Sequence, residues 1–269
     1  MEQRTARRTA LVTGASAGIG LALAEVFARE GFDLVLTARR ADRLHTAAAD
    51  LSGRFGGTVR VIVADLADPA SPARIIDDVF QAGIQVDALV NNAGYGLTGR
   101  FADTTWEDQA AFLQVMVTAV AELTHRVLPG MIARGYGRII NVASLAGLVP
   151  GSAGHTLYGA SKSLLITFSE SLALEGLPHN VHVTALCPGF TYSEFHDVNG
   201  TRPLVSQMPR FMFMDAATVA RQGYDAVMRG QAVYVNGRIN RAIAQTVRYL
   251  PQWLIRGVLR RAASTYRKV

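Results

Sequence analysis

Tyr158 and Lys162 stand four residues apart in YGASK (158–162). On a helix that spacing puts both side chains on one face. A tyrosine hydroxyl titrates near pH 10, too high for ready proton exchange at neutral pH, where an acid–base group works best near the operating pH. Lowering it by about 3 pKa units takes about 4 kcal/mol, which a unit positive charge about 4 Å away supplies at an effective dielectric of about 20. An ammonium is a compact point charge on a flexible stem, whereas a guanidinium is a broad planar fork. The chain uses arginine 25 times and lysine only at 162 and 268, so the lysine at 162 stands out. The pair predicts a tyrosine that trades a proton with a carbonyl or an alcohol.

A second constellation predicts a phosphate site. The apolar run TALVT (9–13) leads into TGASAGIG (13–20), with Gly14, Gly18 and Gly20 spaced before a helical pattern. Glycines let backbone approach a pyrophosphate, and the helix that follows offers free N–H groups and a positive dipole end. The second strand ends at Thr37–Ala38 and is followed by Arg39–Arg40, with no acid from 37 to 40. A carboxylate here binds ribose hydroxyls, whereas an arginine accommodates a 2′-phosphate. NADP(H) is therefore the expected cofactor, with Arg39 preferred to Arg40 as the phosphate ligand.

With Asp65 in VADLAD, NNAG (91–94), Ser144 in NVAS and PG (188–189) added in this order, the chain resembles the short-chain dehydrogenase/reductase family over about residues 8–235. The resemblance implies a Ser144–Tyr158–Lys162 catalytic set, with Ser144 holding the substrate oxygen and Lys162 reaching the nicotinamide ribose. It implies cofactor contacts from Gly14, Ser16, Gly18, Ile19 and Gly20, from Asp65 and Leu66 near the adenine, and from Asn91, Asn92, Ala93 and Gly94. Pro188, Gly189 and Ser193 match the family's loop over the nicotinamide, with serine in place of threonine. Two departures stand out. Ser144 lies fourteen residues before Tyr158, one more than is usual, and an insertion in the intervening loop costs little entropy. Met116 occupies the position of the family's asparagine and cannot make an amide's hydrogen bonds. In the family that position also offers a backbone carbonyl to a water, at a local helix distortion, which is expected to persist here.

These residues need a scaffold, and the apolar pattern supplies one. Strands are expected at 9–13, 32–38, 59–64, 87–92, 138–143 and 181–186, with VYV (233–235) last. Helices are expected over 19–30, 41–52, 69–82, 105–133, 156–176 and 216–229, the last capped by Asp215. Alternating βαβ units with near-continuous apolar strands predict a Rossmann-like, doubly wound parallel sheet of about seven strands, with helices on both faces. The expected division is one oxidoreductase domain (1–235) and a basic C-terminal extension (236–269).

The extension is compositionally separate. After Asp225 there are eight arginines and Lys268 but no acid, so residues 1–225 carry a net charge of −3 within a chain of net +6. That body has no basic excess for nucleic acid. Ile239, Ile243, Val247 and Leu250 share one helical face, and Arg238, Arg241, Gln245 and Arg248 the other. Such a segment fits a peripheral membrane contact, a partner subunit or the chain's own substrate site. The six histidines match no metal-ligand spacing, so no metal is expected. Cys187 is the only cysteine, the N-terminus lacks a signal-peptide pattern, and no run of about 18 apolar residues occurs. The expected location is cytoplasmic, with peripheral membrane contact through the tail, and the expected assembly is a homo-oligomer, dimer or tetramer. MPRFMFMD (208–215) follows the PG motif, where the family that the chain resembles commonly carries its substrate lid, and it is too apolar for a solvated loop, so the resemblance implies a hydrophobic carbonyl or alcohol substrate. The competing expectation is a catalytically weak NADP(H)-binding regulator on the same fold.

Overall fold

The computed structural model describes residues 7–97, 99–151, 154, 156–192 and 213–250. Each strand is a short apolar run. They are β1 (Thr9–Thr13), β2 (Asp33–Ala38), β3 (Val59–Val63), β4 (Val86–Asn91), β5 (Gly137–Val142), β6 (Val181–Cys187), β7 (Thr191–Tyr192), β8 (Met214–Asp215) and β9 (Val233–Val235). The main sheet has seven parallel strands in the order β3-β2-β1-β4-β5-β6-β9. β7 and β8 pair separately, Thr191 with Met214 and Tyr192 with Asp215.

The crossovers are α1 (Gly18–Arg29), α2 (Ala41–Phe55), α3 (Ser71–Gln81), α4 (Trp106–Leu113), α5 (Ala119–Arg134), α6 (Thr156–Gly176) and α7 (Ala216–Met228), and α8 (Arg238–Tyr249) follows β9. The elements fall within a few residues of the expected bounds. Asp215 does cap α7, its carboxylate accepting from Thr218 N at 2.7 Å. Two large cores form, one on each face of the sheet, and a smaller cluster gathers Val120, Leu165, Ile166 and Cys187. Phe27, Leu23, Leu44 and Tyr224 pack on one face under α1, α2 and α7. Ile75, Val79, Leu123, Val127 and Leu172 pack on the other under α3, α5 and α6. Among the described residues, the helical stretch Trp106–Arg134 is long and apolar enough to cross a membrane, but its apolar side covers this second core.

Strand order reverses between β1 and β4. In an open parallel sheet, the crevice beyond the carboxyl ends of such neighbours is the ligand site. The segments that converge there are the Gly14–Gly20 turn, Arg39–Arg40, Asp65, Asn92–Gly94, Ser144 and Pro188–Gly189, each following a strand end. One edge of the sheet thus gathers the described cofactor and catalytic motifs.

Candidate active site

The tyrosine and lysine reach the crevice because α6 lies close against the end of β5. Gly147 permits the approach: a Cβ there would lie 2.6 Å from the Lys162 carbonyl carbon. Ser144 opens the single turn Leu145–Gly147, and its Oγ accepts from Ala146 N at 3.1 Å. Leu145 N donates to Pro188 O at 2.9 Å, which ties this turn to the loop after β6. The Tyr158 and Ser144 hydroxyls hydrogen-bond to each other. Lys162 is 6 % exposed, its Nζ donating to Val142 O at 2.7 Å and lying 5.8 Å from the Tyr158 ring centroid. The three side chains therefore stand together across β5 and α6.

Their electrostatics differ from the expectation. Tyr158 was expected to be lowered by Lys162, but burial of its hydroxyl end raises it, with only partial relief from the Ser144 hydrogen bond. The residue as a whole is half-buried, and desolvation still outweighs the hydrogen bond. Burial also lowers Lys162 to about 8, opposed by nearby Cys187, and pushes Cys187 up to about 12. Desolvation disfavours the charged form of each group, and in the ligand-free site it outweighs their mutual attraction.

The glycine turn also has a packing reason beside the ligand contact expected of it. Gly14 and Gly18 have φ of +65° and +59°, where a side chain is strained. A Cβ on Gly20 would lie 2.4 Å from Gly14 O and 2.3 Å from Asn92 Nδ2. Asn92 itself donates to Thr13 O at 3.0 Å and Gly14 O at 3.3 Å. Thr13 Oγ1 accepts from Asn92 N and Ala93 N and donates to Val90 O. Close packing of NNAG on the turn thus requires the small residues before any ligand is considered. Ile19 is half-buried against the core under α1.

The N-terminus of α1 still fits an anion. Its N-cap is Ala17, no side chain caps it, and no acid occupies its first turn, so its N–H groups and dipole face the crevice unshielded. Ser16 Oγ accepts from Arg40 Nη2 at 3.0 Å. Arg39 is exposed, and its charge is felt at Tyr95 together with that of Asp65. Two arginines therefore flank the place where β1, β2 and β4 end, Arg40 towards the glycine turn and Arg39 towards Tyr95 and Asp65.

The family model for short chain dehydrogenases matches residues 8–202. The chain belongs to the short-chain dehydrogenase family. It is 37 % identical to oxidoreductase UcpA of Escherichia coli K12 over 183 residues, 68 % of this chain and 69 % of that protein. A short-chain dehydrogenase from Sphingobium yanoikuyae, solved in complex with NADPH, superposes with a TM-score of 0.79 at 30 % identity, over 91 % of this chain and 96 % of that one. The bulky-bulky ketone specific alcohol dehydrogenase from Comamonas testosteroni gives 0.75 at 28 % identity, over 92 % and 96 %.

In this short-chain dehydrogenase Asn91 and Leu66 turn their side chains inward. Asn91 is 2 % exposed and faces inward, its Nδ2 donating to Asn141 Oδ1 at 2.9 Å and Thr124 Oγ1 at 3.1 Å. Asn141 passes the network on to Ser169 at 2.9 Å, so β4, β5, α5 and α6 are joined behind the site. Leu66 has its side chain in the core, while Asp65 is exposed and its Oδ1 accepts from Ala67 N. Pro188 is buried, and Gly189 is held under Asn240: a Cβ there would lie 2.5 Å from its Nδ2. Ser193 and residues 208–212 lie outside the described residues. The helix distortion expected at Met116 is present as a π-turn over Gln114–Thr118. Met116 is buried and fills the space over Gly94, where a Cβ would lie 2.8 Å from its Sδ.

Sequence reasoning missed Thr13, Asn141, Ser169, Gly147 and Asn240. The signal for the buried asparagines was a polar residue inside an apolar strand, as in RIINVA, where a hydrogen-bond partner is obligatory.

Proposed function

We propose that this chain is an NADP(H)-dependent carbonyl reductase, or the reverse alcohol dehydrogenase, acting on a hydrophobic substrate. The observation that carries the proposal is the Ser144–Tyr158 hydrogen bond beside a buried Lys162, at the carboxyl end of β5. The uncapped α1 terminus with Gly14, Ser16, Gly18 and Gly20 would hold the pyrophosphate, and Arg39 and Arg40 the 2′-phosphate. Asp65, Asn92, Ala93, Gly94, Pro188 and Gly189 would line the remaining path. A nicotinamide held there would supply or accept the hydride. Ser144 orients the substrate oxygen, and Tyr158 gives that oxygen its proton in reduction. Lys162, still mostly charged at neutral pH at a value of about 8, favours the phenolate left behind. The π-turn leaves a backbone carbonyl near Met116 without its regular helical partner, which suits a water leading towards the lysine.

The apolar-substrate reading rests on an aromatic cluster that follows Pro188 and Gly189 in the chain. Tyr192 stacks on Phe213 at 4.8 Å, and Phe190 lies 5.6 Å from Phe213. Tyr192 is 51 % exposed, which leaves aromatic surface to meet a ligand. A name that specifies bulky ketones for one structural relative points the same way. Met116 favours the cofactor-binding regulator as a second reading, and the intact π-turn favours the enzyme.

The test is NADPH oxidation against ketones and aldehydes graded by chain length, with Tyr158→Phe and Met116→Asn beside the wild type. The rate should rise with apolar bulk. Tyr158→Phe should lose at least about a hundredfold, the lower range for a general acid, and Met116→Asn should change the rate little. A wild type that binds NADPH, reduces nothing and becomes active only as Met116→Asn would establish the regulator instead.

A further inference from the structure

The loop after β6 is held from two sides. On one side Pro188 O accepts from Leu145 N at 2.9 Å, next to Ser144. On the other, the chain that leaves the last strand of the sheet folds back over the loop. β9 pairs with the end of β6, Val235 opposite Cys187, and Asn236 N donates to Cys187 O at 3.3 Å. Asn236 is fully buried, and its Nδ2 donates to Gln222 Oε1 on α7 at 3.1 Å. Gly237, at a φ of +81°, then turns the backbone into α8.

Asn240 is the third residue of α8 and is 8 % exposed. Its Nδ2 donates back to Asn236 O at 2.8 Å, which fixes the amide over the loop. The three atoms nearest to a Cβ placed on Gly189 are Asn240 Nδ2, Oδ1 and Cγ, at 2.5, 2.6 and 2.7 Å. Gly189 does not have a positive φ, so this amide, and not the backbone conformation, excludes a side chain there. Ile243 and Val247 lie on the same helical face and are half-buried. They keep the first turn of α8 against the body, while Ile239 stays 47 % exposed.

We infer that Asn240 is a positioning residue of the redox site. Through Gly189 it fixes the loop that would line the cofactor path, and through Pro188 it fixes the turn that carries Ser144. The inference rests on the reductase reading above and adds α8 to the machinery. The choice of asparagine follows from the contacts. Its donor satisfies a carbonyl where the chain turns, and its planar amide fills the space over a residue without a side chain. Alanine leaves that space empty and the carbonyl without its donor.

A double-mutant cycle between the loop and α8 tests this. Asn240→Ala should lower NADPH affinity about three- to tenfold, the contribution of one hydrogen bond. Gly189→Ala drives a Cβ into the amide. Ordinary contact needs about 3.5 Å, so loop and helix must part by about 1 Å, and a misplacement of about 1 Å lowers turnover about a hundredfold. In the double variant the space left by the amide takes the Cβ. Its kcat should recover at least about tenfold over Gly189→Ala, since effects of residues in contact are not additive. Ile239→Ala, in the same turn but exposed, should leave affinity and turnover unchanged. Hydrogen exchange at Gly189–Tyr192 in the ligand-free protein should speed up in Asn240→Ala and not in Ile239→Ala. Melting temperatures report the folded body separately, and a merely structural asparagine would lower them without the recovery in the double variant. A double variant no faster than Gly189→Ala overturns the inference. So does an Asn240→Ala protein with wild-type NADPH affinity and unchanged exchange at the loop. Affinity and exchange need no turnover, so failure of the reductase reading is told apart from failure of this one.

Discussion

Removing Arg40 and Arg39 one at a time separates a 2′-phosphate site from a general anion site. Arg40 is already placed, its guanidinium on Ser16 at 3.0 and 3.4 Å beside the α1 terminus. A hydrogen bond to a charged group contributes about 1.5–3 kcal/mol, so Arg40→Ala should weaken NADPH binding about 10- to 150-fold. Arg39 is exposed and must be ordered before it binds, a cost of up to about 2 kcal/mol of side-chain entropy. Arg39→Ala should therefore cost less, about 3- to 30-fold. NADH lacks the phosphate, and its affinity should move by less than about fivefold in either variant, since ion pairs near the surface contribute about 0–1 kcal/mol. Fluorescence titration of the reduced cofactors reads both affinities directly. A wild type with equal affinity for NADPH and NADH, or variants that lose both in parallel, would refute the reasoning.

Two glycine substitutions should have opposite signs. Gly20→Ala places a Cβ 2.4 Å from the Gly14 carbonyl oxygen, and such overpacking costs about 1–3 kcal/mol, visible as a lower urea midpoint. Gly53→Ala lies within α2 with nothing inside 4 Å, and should stabilise by about 0.5–1 kcal/mol. If Gly20→Ala unfolds no earlier than wild type, the close approach of Asn92 to the glycine turn is not what requires that residue.

Elements were legible in the sequence wherever the signal is local. A helix was expected over 156–176 and is found over Thr156–Gly176, because a loop rich in glycine and proline precedes it and Gly176 with Pro178 closes it. Asp215 reads as a cap because an N-cap depends on side-chain chemistry three residues from its partner. The residues that hold the site together were less legible, since each acts between elements distant in sequence. Asn141 meets Ser169 and Asn91 across β4, β5 and α6. Gly147 matters only because α6 crosses it. The glycines of the first turn were read as ligand contacts, and the packing of Gly14 and Gly20 against Asn92, some 72 residues beyond Gly20, could not be read beside that. The amphipathic pattern of α8 predicts a face but not which part of it the body covers.

Tyr158 shows why a charge read from sequence does not fix a pKa. The sequence supplies the cation of Lys162, but the depth of burial decides the sign, and burial moves Tyr158 up and Lys162 down to about 8. Below about pH 8 the site therefore holds a neutral phenol beside an ammonium, which is the protonation state needed to donate to a carbonyl. As the phenol gives up its proton the ammonium stabilises the product. Above pH 8 Lys162 becomes neutral, that stabilisation is lost, and the phenolate is harder to form. With Lys162 in control, kcat for reduction should be flat from about pH 6 to near 8 and fall up to about tenfold per unit beyond. Lys162→Met should be slow throughout and should lack the break near 8. Stopped-flow NADPH oxidation at saturating cofactor and ketone measures both profiles. If the rate instead climbs steadily from pH 6 to 8, the donor is not a neutral Tyr158 supported by a charged Lys162, and the proton must come from elsewhere.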